Sequence, residues 1–337
     1  MSIHHQILGK PGQDNALFVT VDSGHSLHRF LFDCGEACLS SLAAVDVGGI
    51  AALFFSHFHM DHVAGFDSFV RANWNREELP VRIFGPPGTI DIIQHRLRGF
   101  IWNLSDDSVG DWIVTEIDVA ELRRVRLRSS DGFAAREELG SLPHHGPIFS
   151  EGELEVRAVL LDHGTPSVGY ILREGDRSNV DEGRLAELGL QPGPWIQSLK
   201  NLAQTGDSAQ IEVAGEMHRV GELRALLLER KHGDSIAYLT DFHLNGPEEE
   251  DRLVRFLAGC QTIVCENNYR NAEAELAERH HHMRSSEVGA LAARVDPQRL
   301  ILFHLSDRYS EEEWQEQLEE VCSRFPRTEF PAGWFSS

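Results

Sequence analysis

The stretch Phe54-Phe55-Ser56-His57-Phe58-His59-Met60-Asp61-His62-Val63-Ala64-Gly65 constrains this chain more than any other. The apolar run Ala51-Ala52-Leu53-Phe54-Phe55, bounded by Gly48-Gly49, reads as a short buried strand. It delivers His57, His59, Asp61 and His62 into the loop at its C-terminal end, where a rigid sheet can hold ligand geometry. Imidazole and carboxylate both bind zinc and similar divalent ions. Four donors this close do not all face one tetrahedral ion comfortably, so the spacing points to two ions.

Three further apolar runs end in the same manner. Leu154–Leu161 leads to Asp162-His163-Gly164, Ile236–Thr240 to Asp241, and Leu300–Phe303 to His304. A chain that repeatedly places histidine or aspartate at a strand end is organised around one centre.

The remaining elements are read from local signals. Residues 3–8 and 16–21 read as opening strands, separated by the turn-rich Gly9–Asn15, and Phe30-Leu31-Phe32 as a strand running into Asp33-Cys34-Gly35-Glu36. Residues 37–46 read as a helix, and Val63 to about Asn75 as the helix behind the histidine loop. Val81–Phe84 is a strand stopped by Gly85-Pro86-Pro87-Gly88, with Thr89 as N-cap of a helix reaching Phe100. Arg123-Arg124-Val125-Arg126-Leu127-Arg128 alternates as a strand with its arginines outward. A solvated face is the reading taken, and phosphate binding the alternative. Glu248-Glu249-Glu250-Asp251 after Pro247 suits a helix N-terminus rather than a metal cluster. His243 reads as a solvated or supporting group. Glu311–Phe325 is a packing helix with Trp314, Leu318 and Val321 on one face.

Composition sets bounds. With 337 residues and 41% hydrophobic content, the chain can bury a substantial core in one domain or two. No apolar run approaches the ~20 residues that span a bilayer. The residues Met1–Gln6 lack the pattern of a signal peptide. Cys34, Cys38, Cys260, Cys265 and Cys322 form an odd, scattered set that suits reduced thiols, so the expectation is a cytoplasmic protein without membrane contact. A net charge of -22 favours solubility and opposes nonspecific attraction to polyphosphate.

The His-x-His-x-Asp-His segment resembles the signature of the metallo-β-lactamase superfamily. Other segments are similar to the tRNase Z (ribonuclease Z) branch: Phe32-Asp33-Cys34-Gly35-Glu36, Leu161-Asp162-His163-Gly164 followed by Gly169-Tyr170, Pro192-Gly193-Pro194, and His304-Leu305-Ser306-Asp307-Arg308-Tyr309. The resemblance spans nearly the whole chain in order. It implies an α/β fold, a four-layer αββα sandwich of mixed sheets with helices on the outer faces, in a single domain over residues 1–337. Within it, residues 174–222 correspond to a projecting arm or insertion. In relatives this arm grips the tRNA elbow, but here Arg177, Arg184, Lys200 and Arg219, with Arg173 at its edge, are matched or outnumbered by acids.

The resemblance also implies roles. His57, His59 and His163 bind one ion, Asp61, His62 and His304 the other, and Asp241 bridges them. The cofactors would be two divalent metal ions, zinc first, with manganese or iron as alternatives, and a hydroxide held between them would attack phosphorus. Asp61 would orient or deprotonate the water. His282, with His281 as second choice, would protonate the leaving group while paired with Glu266. Departures from the family pattern are equally plain. The opening loop lacks Leu-Gly-Thr-Gly, Gly35-Glu36 is followed by Ala37-Cys38, and His-Glu-Ala-Thr is replaced by Cys265-Glu266-Asn267-Asn268.

The expectation is therefore a metal-dependent phosphodiesterase acting on a phosphodiester, with 3′-end processing of precursor tRNA as the specific case and homodimerisation implied by the family. A hydrolase of small molecules, such as cyclic nucleotides or other esters, fits the same site and the acidic charge. A non-catalytic metal-binding scaffold is the third alternative.

Overall fold

The computed structural model describes residues 2–22, 26–103, 110–200 and 205–335. Two compact units emerge: Met1–Arg173 with Ser235–Ser337, and Glu174–Asp234.

The larger unit opens with eight strands: β1 (Ser2–Leu8), β2 (Ala16–Asp22), β3 (Leu27–Phe32), β4 (Ile50–Phe54), β5 (Val81–Gly85), β6 (Asp111–Ile117), β7 (Glu121–Arg128) and β8 (Glu137–Pro143). They form one sheet in sequence order. β3 to β6 run parallel, and the flanking pairs are antiparallel. Then follow β9 (Phe149–Glu151), β10 (Leu154–Asp162) and β11 (Pro166–Glu174). The smaller unit holds β12 (Arg177–Val180), β13 (Gln210–Val213), β14 (Glu216–Arg219) and β15 (Leu228–Lys231). After it come β16 (Ser235–Leu239), β17 (Thr262–Glu266), β18 (Arg299–Phe303) and β19 (Thr328–Glu329). The second large sheet has the order β19-β18-β17-β16-β11-β10-β9, with β16 to β19 parallel.

Alternation along the strands assigns each face its partner. Phe30, Phe32, Phe54 and Phe84 of the first sheet meet Tyr170, Tyr238, Val264 and Phe303 of the second, so the two sheets bury a shared aromatic-rich layer. Leu31, Leu53, Phe55 and Ile83 face the other way, against the helices at Phe66–Asn73 and Thr89–Leu97. Ala237, Leu239, Ile263 and Leu302 pack under the helices at Pro247–Leu257, Ser285–Val295 and Glu311–Cys322. The result is the expected helix–sheet–sheet–helix sandwich. The smaller unit has its own core of Leu185, Leu199, Val213, Val220, Leu223 and Leu227. Among the described residues no helix is long and apolar enough to cross a membrane.

Several local expectations are corrected. The helix expected over 37–46 is two short pieces, Cys38–Ser41 and Ala44–Gly48, because Ala43 between them is extended at ψ 147°. The helix expected from Val63 to Asn75 is interrupted at Ala64-Gly65, leaving Met60–Val63 and Phe66–Asn73. Gly65 N donates to Cys34 O, and a Cβ there would lie 2.2 Å from Gly35 O, so the 33–35 loop packs directly on the break. Thr89 is the first helical residue, not the N-cap. Gly88 takes that place at φ 97°, and Glu116 Oε1 accepts from Gly88 N and Ile90 N at 3.0 Å each, so a neighbouring strand caps this helix. That helix ends at Leu97, short of Phe100, and the last long helix ends at Cys322, short of Phe325. The arginine-rich β7 is a solvated, charge-balanced face, with Arg123 pairing with Glu138, Arg126 with Glu137 and Asp111, and Arg128 with the same two acids.

Candidate metal centre

The donors converge at the C-terminal ends of four strands, three of them from the parallel parts of the two sheets and one, β10, from an antiparallel pair. β4 leads to His57–His62, β10 to His163, β16 to Asp241 and β18 to His304. Among the described residues three groups of four form, His57/His59/His163/Asp241, Asp61/His62/Asp241/His304 and Asp241/Glu266/His282/His304, with the ligand atoms of each group within 4.8 Å of one another. Asp241 is common to all three. Its Oδ2 lies 2.9 Å from His62 Nε2, 3.3 Å from His57 Nε2 and 3.9 Å from His163 Nε2, and its Oδ1 lies 3.1 Å from His304 Nδ1. Asp61 Oδ2 lies 3.2 Å from His62 Nε2 and 3.4 Å from His304 Nε2. His57, His62 and Asp241 are buried, whereas His59 and Asp61 reach solvent, so that side is the mouth.

The residues fit divalent metal. His57 Nε2 and His62 Nε2 are buried with no hydrogen-bond partner, although both point at carboxylate oxygen. Leaving such groups unpaired is costly, and a cation is the partner a cluster of imidazoles and carboxylates would satisfy. Burial drives the His57 imidazole down to about 2, with the neighbouring His62 adding to the effect, so it stays a neutral donor. His163 is lowered too, chiefly by burial. Burial alone would raise the Asp61 and Asp241 carboxyls. The surrounding histidines outweigh it and hold both below the usual carboxylate range, that is, ionised.

A second layer orients the donors. Asp33, buried at the end of β3, accepts from Ser56 N and Ser56 Oγ at 2.7 Å each, and from Tyr238 OH at 2.9 Å. It also lies 2.7 Å from His62 Nδ1. Ser56 Oγ stands 3.0 Å from His57 Nδ1, and His163 Nδ1 donates to His281 O at 2.9 Å. Engaging Nδ1 directs Nε2 of these rings toward the centre. Sequence reasoning missed Asp33, Ser56 and Tyr238 as site residues. The run Phe30-Leu31-Phe32 before Asp33 carries the same strand-end signal as the other donors. Asn268, seen in the sequence only as a departure from the family, contacts His304 at both Nδ1 and O.

His282 and Glu266 are brought together, with Nδ1 to Oε2 at 2.6 Å. Glu266 is fully buried and also accepts from Phe242 N at 2.9 Å. Burial would lower His282, but the Glu266 charge and hydrogen bond overcome it and push the imidazole up to about 9. Its ring sits 4.7 Å from His163 and 6.0 Å from His304, centroid to centroid. His281 contributes its backbone carbonyl. His243 pairs its backbone N with Asp162 O at 2.8 Å and stands outside the three donor groups.

Comparison with known proteins gives the family and the fold. The sequence model of the family described as Anti-Pycsar protein Apyc1 matches residues 10–124. Ribonuclease Z of Deinococcus radiodurans is 42% identical, the alignment covering 97% of each chain. Ribonuclease Z of Thermococcus sibiricus is 28% identical over 87% of this chain and 81% of that one. Among solved structures, YhfI of Bacillus subtilis, a metallo-β-lactamase fold protein, superposes with a TM-score of 0.56 at 14% identity, covering 98% of this chain and 96% of that one. The short form of human tRNase Z gives 0.51 at 17% identity, over 92% and 94%. The solved structures speak to the fold, and the extent of sequence identity to the family. With its His/Asp cluster, this chain belongs to the ribonuclease Z family, metal-dependent hydrolases of the metallo-β-lactamase fold.

Proposed function

We propose that the chain is a binuclear phosphodiesterase that removes 3′ extensions from precursor tRNA in the cytoplasm, acting as a homodimer with zinc as its first-choice metal. The observation that carries the reading is Asp241 shared between two four-donor groups beside the His282–Glu266 pair. His57, His59 and His163 would hold one ion and Asp61, His62 and His304 the other, with Asp241 between. Bound there, two divalent ions supply a water of lowered pKa and positive charge for phosphoryl oxygens.

The chain's own residues do the rest. Asp61, ionised and at the mouth, accepts a proton from the attacking water. His282 donates a proton to the departing 3′-oxygen as its bond to phosphorus breaks, which avoids expelling a free alkoxide. Glu266 fixes the His282 tautomer and keeps the ring protonated until that step. The products are a 3′-hydroxyl and a 5′-phosphate.

The unit Glu174–Asp234, which contains residues 174–222, is read as an arm inserted in a single metallo-β-lactamase domain. It holds eleven acidic residues against seven lysines and arginines, so its grip on phosphates is weak and the metal-centre side carries more of the recognition. The net charge of -22 favours one second reading, hydrolysis of a small diester at the same site.

Cleavage of a 3′-extended precursor tRNA by metal-loaded protein, beside a His57→Ala control, tests the proposal. Cut product after the discriminator base, absent in the control, supports it. Intact tRNA together with metal-dependent turnover of bis(p-nitrophenyl) phosphate would transfer support to the small-diester reading.

A further inference from the structure

Arg308 and Tyr309 follow the last strand-end donor closely, yet neither the metal centre nor the proton donor uses them. Arg308 Nε donates to Ser306 Oγ and Nη2 to Tyr269 OH, both at 2.9 Å. Its guanidinium carbon stands 4.6 Å from the Tyr269 ring centroid and 5.9 Å from that of Tyr309. Each tyrosine is itself tied down, Tyr269 OH to His280 Nδ1 and Tyr309 OH to Glu273. The guanidinium is therefore stacked and tethered although its residue is exposed.

Neighbouring arginines are neutralised. Arg270 pairs with Glu313 and Glu316, and Arg284 with Glu287. Among the described residues, Arg308 makes no ion pair with a carboxylate, and its Nη1 has no protein partner. In a chain of net charge -22, a preorganised cation left unpaired beside the site is a local exception to a field that repels phosphate. A planar guanidinium held by two hydroxyls presents its remaining N–H groups in a fixed fork, a geometry that suits phosphate oxygens.

Its position selects which phosphate. The Tyr269 ring that carries Arg308 lies 5.7 Å from the His282 ring, centroid to centroid. Arg308 thus stands one tyrosine away from His282, the group that would protonate the leaving oxygen. We propose that Arg308 binds the phosphate on the 5′ side of the leaving nucleotide, making it a specificity residue that favours substrates with a second phosphodiester or phosphate over isolated diesters. This rests on the phosphodiesterase reading above and adds to it the requirement for a flanking phosphate.

The test compares the dinucleotide ApA with its 5′-phosphorylated form pApA on the metal-loaded full-length protein. Only the second offers a phosphate on the leaving nucleoside. Wild type should prefer pApA by about 10- to 100-fold in kcat/KM, carried mainly by KM, the scale of a charge-assisted contact. Where turnover is slow, the ratio of the two inhibition constants against bis(p-nitrophenyl) phosphate replaces it. Arg308→Met should bring the preference to within about threefold of unity. Arg308→Lys, which keeps charge without the fork, and Tyr269→Phe, which removes the tether, should give intermediate values. Tyr269→Phe also serves if Arg308→Met does not fold.

A wild-type enzyme indifferent to the extra phosphate, or an Arg308→Met variant that keeps the preference, overturns the proposal. Precursor tRNA cleavage is measured alongside. A retained pApA preference without tRNA cleavage sinks the tRNA assignment and leaves Arg308 in place, whereas tRNA cleavage without that preference sinks Arg308 alone.

Discussion

Replacing Asp33 with alanine should damage folding and metal affinity together, without touching a proposed metal ligand. The buried Asp33 carboxylate accepts from the Ser56 amide, the Ser56 hydroxyl and the Tyr238 hydroxyl, and pairs with His62 Nδ1. Ser56 Oγ can turn to His57 Nδ1, 3.0 Å away, but the other three groups lose their partner in a dry layer. Each such loss costs about 1–3 kcal/mol, and breaking a buried charged pair about 3–5 kcal/mol, so about 3–5 kcal/mol is expected overall. The freed His62 ring should also weaken metal binding by about 10- to 100-fold. Urea unfolding of the chelator-treated protein reads the first effect, and competition with a metal-binding dye the second.

A pH series adds a signed check. Burial lowers His62, but Asp241 and then Asp33 outweigh it and hold it well above its ordinary 6.5. Its contribution to the metal-free fold is full below about 6.5 and lost as pH rises through the folded value. In Asp33→Ala this alkaline loss should shrink. A stability change under about 1 kcal/mol, or metal affinity unchanged while stability falls, would refute the idea that Asp33 couples the aromatic layer to the centre.

Four further outcomes are expected. His282→Ala should retain full metal content yet lose about 10²- to 10³-fold in kcat on RNA, and much less on bis(p-nitrophenyl) phosphate, whose leaving group needs no proton. An equal loss on both would remove His282 as the acid. In metal-free protein, the His282 imidazole at about 9 stabilises fully below about 6.5 and loses that contribution through about 9; Glu266→Gln should flatten this limb of the stability profile. Saturating zinc at about 1,000 times its dissociation constant should stabilise the chelator-treated protein by about 4 kcal/mol for each ion bound, read as a rise in Tm, and no rise would argue against a formed site. Gly65→Ala puts a methyl 2.2 Å from Gly35 O and should cost about 1–3 kcal/mol or more, with metal affinity falling because Gly35 also packs against the short Met60–Val63 helix that carries Asp61 and His62.

The donor set was readable because most of it is local. His57, His59, Asp61 and His62 lie in one segment, and His163, Asp241 and His304 each follow an apolar run that forms a buried strand. Asp33 follows such a run as well, but its meaning depends on Tyr238, more than two hundred residues away, and a pairing at that separation has no local signature. The same holds for Glu116, which caps the Thr89–Leu97 helix from another strand. The helix at Val63 failed for a related reason. Its periodicity is helical, and at the interruption Gly65 packs directly on residues 34 and 35, a contact made by a distant segment. Residues 174–222 illustrate a different limit, since Pro192-Gly193-Pro194 suggests RNA binding by family likeness while the charges around it do not.

One backbone feature connects the ligands to the sheets. Asp33, Asp241 and His304, which follow β3, β16 and β18, have φ of 59°, 48° and 52°. Left-handed backbone is uncommon outside glycine, and Asp, Asn and His tolerate it better than most. At these positions the conformation turns the chain sharply off the strand end, with the Asp33 and Asp241 side chains buried and that of His304 half-buried. Glycine would relax the backbone but supply no donor, and a β-branched residue would be strained. The residue types that can coordinate or support a metal are thus also among the few that can make the turn. Asp241 pays part of this strain back through Thr240 Oγ1, which donates to its Oδ1 at 2.9 Å, and through the histidines around it. The candidate donors are consequently placed by strand-end geometry, which leaves the loops around them free to vary, as the altered opening loop and Cys265-Glu266-Asn267-Asn268 segment do.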